Sequence, residues 1–270
     1  MDDLHLKKQK LEDYVRSLGK VAVAFSSGVD STFLLKVCKE VLGENAMAIT
    51  IKTCSVPERE LKESAAFCEK EGIKQIIIEL DQMAIEGFED NPPDRCYICK
   101  KALFSKMISV ATECGFDNVA EGSNMDDMGD YRPGMKAILE LNVLSPLREA
   151  GLTKADIRAL SRELGLPTWN KPSFACLATR FVYGEKITTD KLRMIEKAEQ
   201  RLMDFGFSQF RVRIHGNLAR IEVDPSEFGM IMSLGTASSL NEHLQELGFK
   251  YVTLDLGGYV TGSMNKVLNL

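Results

Sequence analysis

Ser26-Ser27-Gly28-Val29-Asp30-Ser31 follows a short apolar run and opens a helical segment, and its residue types suit the handling of phosphate. Helix N-termini leave backbone N–H groups unpaired, and the macrodipole favours an anion there. Serine hydroxyls, with a glycine that admits close backbone approach, make a cradle for pyrophosphate. No G-K-[ST] occurs, so the usual NTPase loop is excluded. The plainer alternative is a capping box from Ser27 to Asp30. A second polar segment, Glu121-Gly122-Ser123-Asn124-Met125-Asp126-Asp127, is followed by Asp130-Tyr131-Arg132-Pro133-Gly134. Clustered Asp and Asn hold Mg²⁺ or a ribose, or else form a solvated turn.

Cys176 lies in the loop Lys171-Pro172-Ser173-Phe174-Ala175-Cys176-Leu177-Ala178-Thr179-Arg180. The positive charges of Lys171 and Arg180 favour a thiolate, and so a nucleophile; a structural cysteine is the alternative. Cys38 and Cys68 fall on apolar helix faces and read as core. Arg95-Cys96-Tyr97-Ile98-Cys99 holds a C-x-x-C, but the second pair of a zinc ribbon is missing. It follows Pro92-Pro93 instead of a first strand, which argues against a thioredoxin couple and for structural or substrate-lining thiols. Arg211 and Arg213 alternate on a strand, so both guanidiniums point to one face. Two such forks suit a phosphate or carboxylate; the alternative is one solvated face of a two-layer domain, paired with Glu222 and Asp224 across the hairpin.

These residues need elements to hold them. Val21–Phe25, Ala46–Thr53, Lys74–Leu80 and Asn118–Glu121 read as strands. Helices are expected over residues 4–18, Thr32–Leu42, Glu58–Glu71, Lys101–Glu113 and Asp156–Leu164. Alternation at this spacing means a parallel α/β sheet, whose ligands sit at the carboxyl ends of strands. The loops at Ser26 and Glu121 should therefore face each other. The pattern changes near Lys171-Pro172. A helix over Thr189–Phe205, a hairpin of Gln209–Ile214 with Leu218–Val223, short helices over Pro225–Leu234 and Leu240–Leu247, and a strand over Tyr251–Leu256 make a small α+β unit. The expected domains are 1–175 and 176–270.

Composition narrows the class. With 44% hydrophobic and 27% charged residues, the 270-residue chain is neither disordered nor collagen-like. No apolar run reaches the ~18 residues of a membrane span. Met1 to Lys10 is too polar for a signal peptide, so a cytoplasmic protein is expected. Its seven cysteines, odd in number and irregularly spaced, then read as free thiols. The net charge of −5 lies in the first part, with 23 basic and 28 acidic side chains before residue 176 and 11 of each after. Such a chain is a poor non-specific binder of nucleic acid, and its few clustered arginines suit one phosphorylated small molecule.

Phe25 through Ser31 resembles the PP-loop, S-G-G-x-D-S, of the ATP pyrophosphatase superfamily, whose members split ATP between its α and β phosphates and adenylate a substrate. Ser27 replaces one loop glycine, which asks the backbone there to avoid positive φ. Added to it are Arg95-Cys96-x-x-Cys99-Lys100, the Glu121 and Asp130 segments, Pro172-Ser173-x-Ala175-Cys176-Leu177, Arg211-Val212-Arg213 and Leu218-Ala219-Arg220-Ile221-Glu222. Together, over nearly the whole chain, they resemble the LarE family of ATP-dependent sacrificial sulfur transferases.

That resemblance implies an α/β PP-loop (adenine nucleotide alpha hydrolase-like) domain with a smaller C-terminal α+β domain for substrate binding or oligomerisation. It implies ATP at Ser26, Ser27, Gly28, Val29, Asp30, Ser31, Gly122 and Asn124. Substrate would lie at Arg95, Tyr97, Asp126, Asp127, Arg180, Arg211 and Arg213, with the two strand arginines on its phosphate. The implied substrate is a pyridinium-3,5-biscarboxylate mononucleotide, a precursor of the nickel-pincer cofactor of lactate racemase. One carboxylate is adenylated with loss of pyrophosphate, helped by Mg²⁺, for which no ligand is assigned. Cys176 then forms a thioester, and cleavage of its Cβ–S bond leaves a thiocarboxylate on the product and dehydroalanine on the protein. No cysteine follows Cys176, so no iron–sulfur cluster is expected. A homo-oligomer is expected, without nucleic acid or membrane. Other PP-loop chemistry stays open, as transfer-RNA thiolation or ammonia-dependent amidation of a purine nucleotide, and so does non-catalytic nucleotide binding.

Overall fold

The computed structural model describes residues 2–129 and 133–268; Asp130, Tyr131 and Arg132 lie outside them. Strands β1 (Val21–Ala24), β2 (Ala46–Lys52), β3 (Lys74–Glu79) and β4 (Val119–Ala120) are all parallel, in the order β3-β2-β1-β4. Helices α1 (Asp3–Leu18), α2 (Val29–Leu42), α3 (Glu58–Lys70), α4 (Arg95–Glu113), α5 (Gly134–Glu140), α6 (Pro146–Glu149) and α7 (Lys154–Glu163) accompany them. Successive strand residues feed two cores. Val21, Val23 and Ala48 pack with Leu11, Phe33, Leu34 and Leu160, while Ala22, Met47 and Ile49 pack with Phe104, Met107 and Ile138. Both faces are covered, which is why β1 and β2 read as unbroken apolar runs.

The winding places the site. From β1 the chain builds β2 and β3 to one side, and β4 then lands on the other. The reversal between β1 and β4 opens a crevice beyond their carboxyl ends, where parallel sheets take ligands. Ser26 and Gly122 both follow those ends. Helix α4 starts at Arg95, well before the expected Lys101. Nothing after Pro92-Pro93 breaks the helical pattern, so Cys96 and Cys99 sit one turn apart on a helix and not in a loop. Helices α5 and α6 had no counterpart in the sequence reading.

Contacts divide the chain into two compact units: Met1–Asp81 with Cys96–Phe174, and Gln82–Arg95 with Ala175–Leu270. The excursion at Gln82–Arg95 joins the second unit, which one cut in the sequence does not foresee. That unit holds α8 (Thr189–Asp204), β5 (Phe210–His215), β6 (Leu218–Val223), α9 (Phe228–Ile231), α10 (Leu234–Glu246) and β7 (Tyr251–Leu254). β5 and β6 are antiparallel, and β7 joins β6 in parallel. The Thr188 side chain caps α8, whose Leu192, Ile195, Ala198 and Leu202 form one buried stripe. The expected helix over Pro225–Leu234 is instead a 3₁₀ turn plus the short α9, and α10 begins at Leu234, ahead of the expected Leu240. Residues 235–239, between the two expected helices, are helical. No helix among the described residues is long and apolar enough to cross a membrane.

Candidate active site

The Ser26–Ser31 loop joins β1 to α2. Gly28 caps α2 with extended backbone (φ −75°) and no side-chain capping bond, so the Ser27–Asp30 capping box does not form. Ser31 Oγ accepts from the Ser26 N–H at 3.3 Å and lies 3.1 Å from Ser26 Oγ. The hydroxyls are thereby gathered at the start of the helix. Ser27 corrects a sequence expectation: its φ is +53°, in the left-handed region. A serine there costs about 1–2 kcal/mol, and its contacts hold it. Its Oγ donates to Glu60 Oε2 at 2.8 Å, and its carbonyl accepts from Lys171 Nζ at 3.2 Å.

The loop after β4 comes up against this helix start. A Cβ on Gly122 would lie 3.0 Å from the Ser31 nitrogen and 3.2 Å from Asp30 Cβ, so any larger residue would push the two loops apart by a few tenths of an ångström. Gly122→Ala is expected to cost about 1–3 kcal/mol by overpacking and to weaken nucleotide binding, read by urea denaturation and ATP titration; normal values for both would mean that the loop yields. Asn124 Nδ2 donates to Asp30 Oδ1 at 3.3 Å. Asp127 Oδ2 accepts from the Asn124 N–H, and Asp126 Oδ2 accepts from the Lys154 N–H. Both carboxylates brace loop backbone, in the manner of the turn alternative. Glu121 is buried and accepts from Ser123 Oγ and Ser145 Oγ, each at 2.7 Å.

Lys154 escaped the sequence reading. Thr153 and Asp156 form the capping box of α7, which puts Lys154 at its first residue, and Lys154 Nζ pairs with the Asp30 carboxylate. A lysine at a helix N-terminus opposes the macrodipole, and that anomaly was the available signal. No group of three or more metal-ligating side chains forms among the described residues.

Cys176 is exposed, whereas Cys38 and Cys68 are buried, with burial pushing both thiols up to about 12. The charges expected to activate Cys176 are engaged elsewhere. Lys171 Nζ bonds Glu60 at 2.6 Å and Glu63 at 2.5 Å. Arg180, expected on substrate, is 1% exposed and spans both oxygens of Glu199 at 2.7 and 2.8 Å. Its Nη1 donates to the Ala175 and Cys176 carbonyls and to Thr179 Oγ1. The guanidinium therefore fixes the backbone of the cysteine turn. Arg95, also expected on substrate, is buried against Asn91 and donates to the Ala178 carbonyl, bracing the same turn. Tyr97 instead belongs to an ionic cluster of α4 and α5, donating to Glu140 at 2.8 Å and accepting from Lys101.

Arg211 and Arg213 lie beside this turn and are also buried, so they form no solvated face, but Arg213 does take Glu222, the partner the hairpin alternative named. Arg213 donates to Glu222 and to the Thr179 carbonyl at 3.0 Å. Arg211 lies 4.8 Å from the Tyr259 ring centre. Burial, followed by the charge of Arg180, lowers Arg211 to about 10, so it stays a cation at neutral pH. Four guanidiniums (Arg180, Arg211, Arg213 and Arg220) share the carboxylates of Glu199, Glu222 and Asp255.

Residues 4–101 match the family model described as NAD synthase. An uncharacterized protein of Synechocystis sp. is 40% identical over 98% of this chain and 99% of its own. Pyridinium-3,5-bisthiocarboxylic acid mononucleotide synthase of Lactiplantibacillus plantarum is 38% identical over 99% of this chain and 97% of its own. A subunit of the glutamine-hydrolyzing GMP synthase of Thermoplasma volcanium is 28% identical over 69% of this chain and 64% of its own.

Proposed function

This chain belongs to the LarE family of PP-loop sulfur transferases, and from that premise we propose that it converts the carboxylates of pyridinium-3,5-biscarboxylate mononucleotide to thiocarboxylates, one per chain, with its own Cys176 as sulfur donor. The product is a precursor of the nickel-pincer cofactor of lactate racemase. One observation carries the reading: of the seven cysteines, all within the described residues, Cys176 is the exposed one. Its turn is fixed from beneath by a buried ion pair.

In this reading the serine loop and the α2 N-terminus, with Gly122 and Asn124, take the phosphates of ATP. Lys154 supplies through space the positive charge that the loop lacks in sequence. Mg²⁺ on the phosphates would neutralise the departing pyrophosphate, and one protein carboxylate suffices to hold it beside them. Asp30, half-buried at the first turn of α2, is the carboxylate at hand, and it would take the ion in exchange for Lys154 on one oxygen or Asn124 on the other. A substrate carboxylate oxygen attacks the α-phosphorus, and pyrophosphate leaves. The Cys176 thiolate displaces AMP from the acyl carbon, giving a thioester. Loss of the Cys176 Cα proton, with cleavage of Cβ–S, sends the sulfur out on the product. Arg211 and Arg213 serve the substrate phosphate through charge-assisted bonds.

Pyrophosphate release from ATP should require this substrate, and Asp30→Asn should lower it about a hundredfold or more with the fold retained. Undiminished release by the variant would take the loop out of the chemistry. Release driven by a purine mononucleotide and ammonium would replace the proposal with amidation.

A further inference from the structure

Ser27 poses a problem that the proposed chemistry leaves open. It holds a left-handed conformation without being glycine, and it is buried at the bend that aims the phosphate loop. Two side chains from elsewhere in the first unit meet it from different sides. Glu60, on α3, accepts from Ser27 Oγ with Oε2 at 2.8 Å and with its own carbonyl at 3.1 Å. Lys171 donates to the Ser27 carbonyl at 3.2 Å and to the same Glu60 oxygen at 2.6 Å. The ring closes on itself: hydroxyl to carboxylate, carboxylate to ammonium, ammonium to the carbonyl of the starting residue. Glu63 and Arg59 flank it, at 2.5 Å from Lys171 and 3.7 Å from Glu60.

We propose that Glu60 and Lys171 are positioning residues that clamp Ser27 in its left-handed conformation and so keep the loop shaped for phosphate. The proposal rests on ATP being the ligand of this loop. Neither residue need touch the nucleotide. A residue in the left-handed region turns the chain sharply, so its conformation sets where the following N–H groups point. Serine leaves that region readily once unheld, whereas glycine populates it freely. A glycine at this position would make the clamp superfluous.

The test uses that difference. ATP affinity with Mg²⁺ is measured by titration calorimetry on the full chain, for Glu60→Ala and Lys171→Met, each made in the natural sequence and together with Ser27→Gly. In the natural sequence each change should weaken ATP roughly tenfold, the scale set by a left-handed serine. Against Ser27→Gly alone, each should weaken it less than about twofold, since glycine needs no holding. Equal losses with and without Ser27→Gly would mean direct contact with ATP or general support of the fold, and would overturn the clamp. So would the absence of any loss, or a Ser27→Gly chain that no longer takes ATP, because the hydroxyl itself would then be the ligand. A natural chain that takes no ATP overturns the functional reading, and the clamp with it.

Discussion

Incubated with ATP, Mg²⁺ and pyridinium-3,5-biscarboxylate mononucleotide, each chain is expected to lose the mass of one hydrogen sulfide, and to do so once. Intact-mass measurement should find the loss, and peptide mapping should place it between Phe174 and Arg180. Cys38 and Cys68 are poor candidates, because burial holds both at about 12, leaving almost no thiolate at neutral pH. Cys176→Ala should abolish the loss yet still form the adenylate, since the thiol acts after that step. Cys96 and Cys99 serve as an internal control, and their peptide should keep its mass. An unchanged mass after stoichiometric product would point to sulfur from outside the chain.

Glu199→Ala should remove about 3–5 kcal/mol of stability, the usual result of breaking a buried pair from one side. Arg180 would remain at 1% exposure without its carboxylate, next to Arg211. Burial alone would raise Glu199, but the charges and bonds of Arg180, with Arg211 and the Val212 N–H, outweigh it and hold the carboxyl below its usual range. A depressed folded value fixes the sign of the pH dependence. The contribution is complete above the ordinary carboxylate range and is lost as the pH falls through the lower, folded value. Urea midpoints of the natural chain should therefore drop in acid, and those of Glu199→Ala should drop less. A cost below about 1 kcal/mol would resemble a solvated surface pair and count against this burial.

Much of this was legible in the residues. Apolar runs of four to seven residues between helical segments gave the parallel sheet, because strands covered on both faces carry no polar alternation to confuse them. The serine loop was legible because phosphate chemistry constrains local spacing. What stayed hidden acts across the chain. Lys154 meets Asp30, and Lys171 meets Ser27, over separations of 124 and 144 residues. No local spacing encodes such pairs. Local inference also erred at Ser27, where side-chain type argued for negative φ and a tertiary ring of contacts prevailed. Likewise Arg180 reads in sequence as a charge beside a thiol. Its partner Glu199, one helix onward, turns it inward.

The bonds that fix the cysteine turn run to main-chain oxygens: Arg180 to the carbonyls of Ala175 and Cys176, and Thr179 to the carbonyl of Cys176. Stripping the sulfur from residue 176 leaves those acceptors in place. If Cys176 is spent as proposed, the chain would keep the shape of this turn without its sulfur. The yield of thiocarboxylate would then follow the number of copies translated and not the time allowed, so synthesis of this protein would meter its product as a stoichiometric reagent.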